Sequence, residues 1–322
     1  MKRTVQALFL TILAAEVLVA GQGADVKRVL SEVRTALGGE EKLAAVKSVA
    51  IEGQVARTAP DGGSSSSDFE MAFELPDRYI KIDVFANING MALKRRAGFN
   101  GAEAIDDRDM PQMGGGGGMM HVMTMSPGGG MVGGQASPEQ VAAQKAALLA
   151  SSKKEFARLV LGLLGTSTTA FPVEFKYAGQ AQSQDGMADV VEVQGADGFT
   201  AKFFTDSKTH LPLMVSWMDK EPLRVTMGGP GGGNVQVMRG AGGGAEEAKR
   251  MQQEMADRVK QAEASRRTIE YRTFYAGYKA VNGLNLPTRI QRMQDGVPVE
   301  EMTLEKIKIN QKIDAAKFKV SK

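Results

Sequence analysis

Two turn dipeptides near the end of the chain, Asn282-Gly283 and Asp295-Gly296, limit its fold more than any other feature. They separate three β-rich stretches that begin at Arg267. Asn-Gly and Asp-Gly supply the positive φ angles that tight hairpin turns need, so the sequence predicts a three-stranded antiparallel meander. Its strands of about ten residues exceed the usual five or six. Such a meander indicates a large curved sheet that encloses something.

Two earlier strands show the clearest alternation of apolar and polar residues. Apolar side chains occupy every second position, and these are Phe69, Met71 and Phe73 in the first strand and Ile80, Ile82 and Val84 in the second. Side chains that are two apart lie on the same face of a strand. We therefore expect both apolar rows to point into the interior of the sheet.

The helices have well-marked starts and stops. Ser137 as N-cap, Pro138 at the first helical position and Gln140 in a capping box predict a helix that runs to Gly165. Its second half, with Phe156, Val160 and Leu163, is apolar and must lie on the sheet or fill a cavity. A charged stretch at 245–266 predicts a solvated helix. The strands have short connections, so the class is α+β: one large antiparallel sheet with helices on one side.

Two glycine-rich inserts, 113–134 and 227–244, are predicted to be disordered because they bury too little apolar surface to offset their backbone entropy. The first insert contains a soft-ligand cluster: Met119, Met120, His121, Met123 and Met125. Thioethers favour Cu(I), and methionines can also absorb oxidants as sulfoxides. Flexible apolar filling is the third interpretation. The alternative function is therefore Cu(I) binding or oxidant scavenging through this insert.

The first residues have the layout of a secretory signal peptide: two cations, an apolar run and small residues. We expect residues 1–23 to be removed and 24–322 to form a single domain in the periplasm. An uncleaved anchor helix is the competing interpretation. The chain has no cysteine, which excludes disulfides, zinc–cysteine sites and a thiol nucleophile. Its net charge of +3 gives no electrostatic footprint for nucleic acid.

A search for catalytic chemistry finds little. The two histidines, His121 and His210, lie in the insert and in a turn, so neither is placed for a nucleophile–base pair. Asp106, Asp107 and Asp109 could bind a hard cation or form a solvated loop. Neither glycine run is followed by the Lys-Ser or Lys-Thr of a phosphate-binding loop. We expect no enzyme activity and no cofactor.

Five segments resemble the periplasmic lipoprotein-carrier (LolA/LolB-like) family and its outer-membrane lipoprotein-sorting relatives. They are FELPDRYIKID at 73–83, FNGAEAIDD at 99–107, GFTAKFFTDSKTHLPLMVSW at 198–217, NGLNLPTRIQ at 282–291 and INQKIDAAKF at 309–318. They look like the family's strand-proline-strand segment, its glycine turn, its paired strands before a Leu-Pro, and its C-terminal strand with an Asp-x-x-x-Phe ending. The resemblance covers nearly the whole chain after residue 23.

In that family an incomplete barrel wraps an apolar cavity that holds acyl chains, and helices cover the cavity like a lid. The resemblance thus implies a non-enzymatic periplasmic protein that binds a lipid or other amphiphile, with a role in outer-membrane lipid or lipoprotein trafficking. Envelope proteins and peripheral membrane contact are implied as well. The ligand-binding residues would be Phe69, Met71, Phe73, Ile80, Ile82, Phe156, Val160 and Leu163. At Leu75 the chain departs from the lipoprotein carriers, which have an arginine there that helps to control lid opening and cargo release.

Overall fold

The structure is a computed structural model in which residues 22–59, 62–88, 91–108, 138–183, 186–222 and 245–320 are described. Nearly all of the predicted signal peptide and both predicted inserts lie outside these ranges. The described residues divide into two compact units. Those within Met1–Pro111, Leu148–Met218 and Glu270–Lys322 form the first, and those within Gln112–Ala147 and Asp219–Ile269 form the second.

The described residues form four α-helices and fourteen β-strands. The helices are α1 (Gln22–Ala36), α2 (Glu40–Ala44), α3 (Pro138–Leu164) and α4 (Ala245–Ser265). The strands are β1 (Ser48–Thr58), β2 (Ser64–Glu74), β3 (Arg78–Ile88), β4 (Met91–Asn100), β5 (Glu103–Arg108), β6 (Val173–Ser183), β7 (Gly186–Gly195), β8 (Phe199–Asp206), β9 (Pro212–Lys220), β10 (Thr268–Ala276), β11 (Lys279–Val281), β12 (Leu284–Leu286), β13 (Arg289–Gln294) and β14 (Val297–Ile309).

Twelve of these strands form one sheet in the order β5-β4-β3-β2-β1-β14-β13-β10-β9-β8-β7-β6. The sheet is mostly antiparallel and does not close into a barrel, which confirms the predicted fold class. Its first five strands follow the chain, because short turns connect them and favour antiparallel neighbours. The last strand then returns to the first: β14 pairs with β1 in a register that sets Ile309 opposite Val49.

Both predicted turn dipeptides have the expected backbone. Asn282 and Gly283 have φ angles of 48° and 80°, and Asp295 and Gly296 have 49° and 79°. The Asp-Gly turn joins β13 to β14, as predicted. The Asn-Gly turn does not join two strands of the large sheet, which corrects the predicted meander: it closes the small hairpin of β11 and β12, and β10 pairs directly with β13.

One face of the large sheet carries the main core and is covered by helices; we call it the helix-covered face. Buried side chains of α1, α2 and α3 pack there against the strands. Helix α3 begins at Pro138 and ends before Gly165, which has a φ of 61°, as predicted. The approach of α3 to β10 is close: a Cβ atom added to Gly162 would lie 1.9 Å from Cζ of Tyr275. Glycine is needed there because any side chain would collide with that ring.

The opposite face, which we call the outer face, is partly covered by the last described residues, 311–320, here named the C-terminal strap. Ile313 and Phe318 of the strap are buried in a cluster on this face. Arg96 on β4 donates hydrogen bonds to the carbonyl oxygens of Lys317 at 2.8 Å and Lys319 at 3.0 Å. The apolar side chains and these bonds together hold the strap on the sheet.

The second unit contains α4 and the segments that flank it in sequence. The side chains of α4 that are described are mostly exposed, in agreement with the predicted solvated helix. After its last turn, Arg266 donates a 2.6 Å hydrogen bond to the carbonyl oxygen of Glu221 and pairs with Glu263 at 2.7 Å. Among the described helices, none is both long and apolar enough to cross a membrane.

Candidate functional site

Six of the eight predicted ligand-binding residues are buried in the main core of the helix-covered face. They are Phe69, Met71 and Phe73 on β2 and Phe156, Val160 and Leu163 on α3. Each is at most 3% exposed. The sequence pattern thus identified side chains that the fold brings together. Contact with a ligand stays a prediction.

An aromatic cluster joins helix α3 to the sheet. The Phe156 ring lies 5.4 Å from that of Phe73, 5.3 Å from that of Tyr79 and 5.5 Å from that of Phe99, measured between centroids. These separations and the edge-to-face or stacked angles are those that aromatic pairs prefer. The space between α3 and this part of the sheet is therefore filled by the protein's own rings.

The other two predicted residues, Ile80 and Ile82, lie on the outer face, so the expectation of one shared interior is wrong. The register pairs Ile80 with Ala72 and Ile82 with Glu70, and paired residues point to the same side of a sheet. Phe69, Met71 and Phe73 alternate with those partners and point the other way. Ile80 instead packs with the C-terminal strap through Ile313 and Phe318.

Strand β3 therefore presents Tyr79, Lys81 and Asp83 to the helix-covered face. Lys81 and Asp83 belong to a group of charged side chains that we call the buried charge network: Arg57, Lys81, Asp83, Glu155, Arg292 and Glu300. Three are cations and three are anions, so the network is balanced. Glu155 comes from α3 and contacts Arg292 on β13 at 2.8 Å, which adds an ion pair to the apolar contacts that hold the helix down.

Glu300 lies at the centre of the network. Its carboxylate accepts a 3.0 Å hydrogen bond from Nε of Arg57 and a 3.3 Å bond from Nζ of Lys81, and Arg292 lies 3.6 Å away. Burial works to raise the pKa of Glu300, but Lys81, Arg292 and Arg57 together outweigh it and lower the pKa to about 2. Burial acts on Glu155 in the same way, and Arg292 and Lys81 again leave its pKa lowered.

Beyond this network the helix-covered face opens into a polar groove of about 620 Å³. The groove is lined by Gln54, Arg57, Ser65, Ser66, Ser67, Asp68, Asp83, Val84, Arg95 and Arg108. Arg57 and Asp83 belong to both the groove and the network, and they pair at 2.7 Å. An apolar region, a charged layer and a solvent-accessible polar region thus follow one another along the same strands.

Sequence reasoning missed the network and the groove because β3 alternates between two partly apolar faces. Tyr79, Lys81 and Asp83 looked like the solvated row beside Ile80 and Ile82. One signal could have reversed the assignment: the end of the chain carries Ile313 and Phe318, which need an apolar partner. A strand with isoleucines on the face away from the helices supplies that partner.

Other sequence candidates are only partly within the described residues. The Met/His cluster at 119–125 and Asp109 lie outside them. Asp106 and Asp107 are engaged by Arg95 and Arg96 at 3.0 and 2.8 Å. His210 lies in a turn, with Nδ1 3.6 Å from the Glu32 carboxylate. Within the described part of the chain, no three histidine or acidic side chains are grouped so that they could hold a metal ion.

Comparison with known proteins gives structural likeness without sequence similarity. No family model matches the chain, and no curated protein matches it. Among solved structures, a LolA superfamily protein from Nitrosomonas europaea is 10% identical, with 91% of this chain and 97% of that one covered and a TM-score of 0.46. A DUF1329 family protein from Desulfovibrio piger is 8% identical, with 91% and 97% covered and a TM-score of 0.44.

A third solved structure is an outer membrane lipoprotein-sorting protein domain from Vibrio parahaemolyticus. It is 10% identical, with 92% of this chain and 96% of that one covered and a TM-score of 0.41. The LolA superfamily structure and this one carry names from the family that the sequence segments resemble.

Proposed function

We propose that the protein is a non-enzymatic binding protein that holds a lipid or other amphiphile. The apolar part of the ligand lies between helix α3 and the helix-covered face, and the polar part lies in the polar groove. One observation carries this proposal. The helix-covered face changes from apolar to polar along single strands, in the same sense as an amphiphile does along its length.

The change is seen most simply on β2 and β3. Phe73 is paired with Tyr79 in the aromatic cluster, Met71 with Lys81 in the charged layer, and Phe69 with Asp83 at the groove. Each step is two residues, or about 7 Å along a strand. The ligand would follow this direction.

Because Phe156 and its aromatic neighbours fill the space under α3, an acyl chain can enter only if the helix moves away from the sheet. Protein interiors are packed too densely to admit a chain without such movement. Glu155 and Arg292 supply the polar contact that must separate, and each keeps about a third of its side chain exposed, at 37% and 32%. Water can therefore reach this pair and solvate its charges as they part.

A cross-link that ties α3 to the sheet tests this route. The chain has no cysteine, so a Glu155→Cys/Arg292→Cys variant carries only the two introduced thiols. The side chains they replace already meet, and a short bismaleimide can join them. We expect saturable binding of a dansyl-labelled fatty acid by the wild type and by the untreated variant. After cross-linking, affinity should fall at least about tenfold, or about 1.4 kcal/mol.

The matched control is Ser151→Cys/Glu155→Cys, in which the same reagent bridges two positions one turn apart on α3 and leaves the helix free of the sheet. This protein should keep its affinity after cross-linking. Equal binding before and after cross-linking in the first variant would show that the chain does not enter under α3. No saturable binding by the wild type would refute the proposed function.

A further inference from the structure

We infer that the polar groove is an anion site, and that the ligand is an anionic amphiphile with a phosphate or carboxylate headgroup. The inference rests on the proposed function for the apolar part of the ligand. The anion site itself depends only on the groove. It is carried by a pair of arginines whose arrangement costs stability in the protein alone.

Arg95 on β4 and Arg108 on β5 are directly opposite each other in the sheet register. Side chains at such positions share a face with their Cβ atoms about 5 Å apart, and like charges placed there repel. Both line the groove. A bound anion between the two guanidinium groups would turn this repulsion into attraction.

The hydrogen bonds of the two arginines leave donors over. Arg95 uses its Nε atom for Asp106, at 3.0 Å, and its two terminal nitrogens bond to no other described residue. Arg108 makes neither an ion pair nor a side-chain hydrogen bond within the described ranges. The planar, forked donors of arginine suit bidentate recognition of phosphate and carboxylate.

The remaining lining favours the same ligand class. Ser65, Ser66 and Ser67 offer hydroxyl donors beside the arginines. Of the two acidic residues in the lining, Asp83 is engaged by Arg57, and Asp68 is exposed to solvent. Three cations against two anions leave the lining with an excess positive charge. The volume of about 620 Å³ lies within the usual range for small-molecule sites, so the groove can hold a headgroup.

Calorimetric titration with three single-chain amphiphiles of equal chain length tests the inference: dodecyl phosphate, dodecanoate and dodecyl maltoside, each below its critical micelle concentration. We expect at least one of the two anionic probes to bind about tenfold or more tightly than the neutral maltoside. Added salt should weaken the anionic probes and leave the maltoside unchanged, because ions screen charge interactions. The two anionic probes separate a phosphate from a carboxylate preference.

Arg108→Gln should remove most of this preference, and Arg108→Lys should restore part of it. Arg78→Gln is the matched control, because Arg78 is also a half-exposed strand arginine but pairs with Glu74 at 2.9 Å and does not line the groove. Circular dichroism should show that all three variants fold. If Arg108→Gln is unfolded, Arg95→Gln replaces it as the test.

The outcomes separate this inference from the proposed function. Equal affinity for all three probes, unchanged by Arg108→Gln, would overturn the anion site and leave amphiphile binding intact. Binding of ethyl phosphate or acetate that depends on Arg108, with no gain from a longer chain, would support the anion site and overturn the amphiphile. Binding by no anionic probe, long or short, would overturn the inference.

Discussion

Three cations meet at Glu300, and this single carboxylate decides whether the charged layer of the sheet is stable. Lys81 and Arg57 donate hydrogen bonds to it, and Arg292 lies 3.6 Å away. The Glu300 side chain is 11% exposed, so its interactions are little screened by solvent. Removal of this charge would leave buried cations without their central partner, which is the costly way to break a buried ion pair.

Glu300→Gln is expected to lower stability at pH 7, and the loss should disappear in acid. The pKa falls from 4.5 to about 2 on folding, which corresponds to about 3 kcal/mol. A depressed carboxyl pKa contributes stability that is fully present above the unfolded value. The contribution is lost as the pH falls from about 4.5 towards 2. Urea unfolding of both proteins across this range measures the difference.

The matched control is Glu305→Gln, at an exposed position on the same strand, where the expected change is within about 0.5 kcal/mol at every pH. A wild-type–Glu300→Gln difference that stayed constant from pH 7 to pH 2 would contradict the role assigned to the ionised carboxylate.

At the scale of single elements, the C-terminal strap decides which side of β3 faces the helices. Its Ile313 and Phe318 cover Ile80 on the outer face. Without that cover, the isoleucine row would be a solvent-exposed apolar strip. The strap and the register of β3 are thus two aspects of one packing solution.

Truncation after Asn310 should destabilise the protein and expose this strip. Phe318 is 1% exposed, and the loss of a buried phenylalanine alone costs about 3–5 kcal/mol. We expect a lower melting temperature and a rise in fluorescence of the apolar dye ANS. Deletion of residues 321–322 alone is the control and should change neither. An unchanged melting temperature after the longer truncation would show that the strap adds no stability.

The elements themselves were largely predictable, whereas the assignment of faces was not. The alternation of β2, the capping signals at Pro138 and Gly165 and the Asp295-Gly296 turn all have local causes, so the sequence predicts them well. The side to which Ile80 points depends on Phe318, more than two hundred residues away. No local pattern contains that information.

For the candidate site the same division holds. The apolar residues Phe73, Phe156 and Leu163 follow from periodicity, because burial repeats at the period of the element. The opposition of Arg95 and Arg108 depends on the register of two strands, and the junction at Glu300 needs β1, β3, β13 and β14 together. Charges that lie far apart in the sequence give no sign of such meetings.

At the scale of the whole molecule, we expect export and removal of the leader. The cationic start and apolar run of residues 1–23 motivate this prediction. Protein recovered from the periplasm of a bacterial host should begin between Ala20 and Ala24 when its N-terminus is sequenced. Leu10→Arg, which interrupts the apolar run, should retain the leader inside the cell. Periplasmic protein that starts at Met1 would contradict the prediction.

The open sheet ends in two outer strands, β5 and β6, and within the described residues nothing pairs with their outward sides. Unpaired strand edges invite a second molecule to add its own strand, which leads to aggregation. Strand β5 is only six residues long and carries Asp106, Asp107 and Arg108. Strand β6 is interrupted by a bulge at Gly179, where φ is 99°. Short length, charge and a bulge each discourage pairing between copies, so a sheet that never closes can still remain soluble at high concentration.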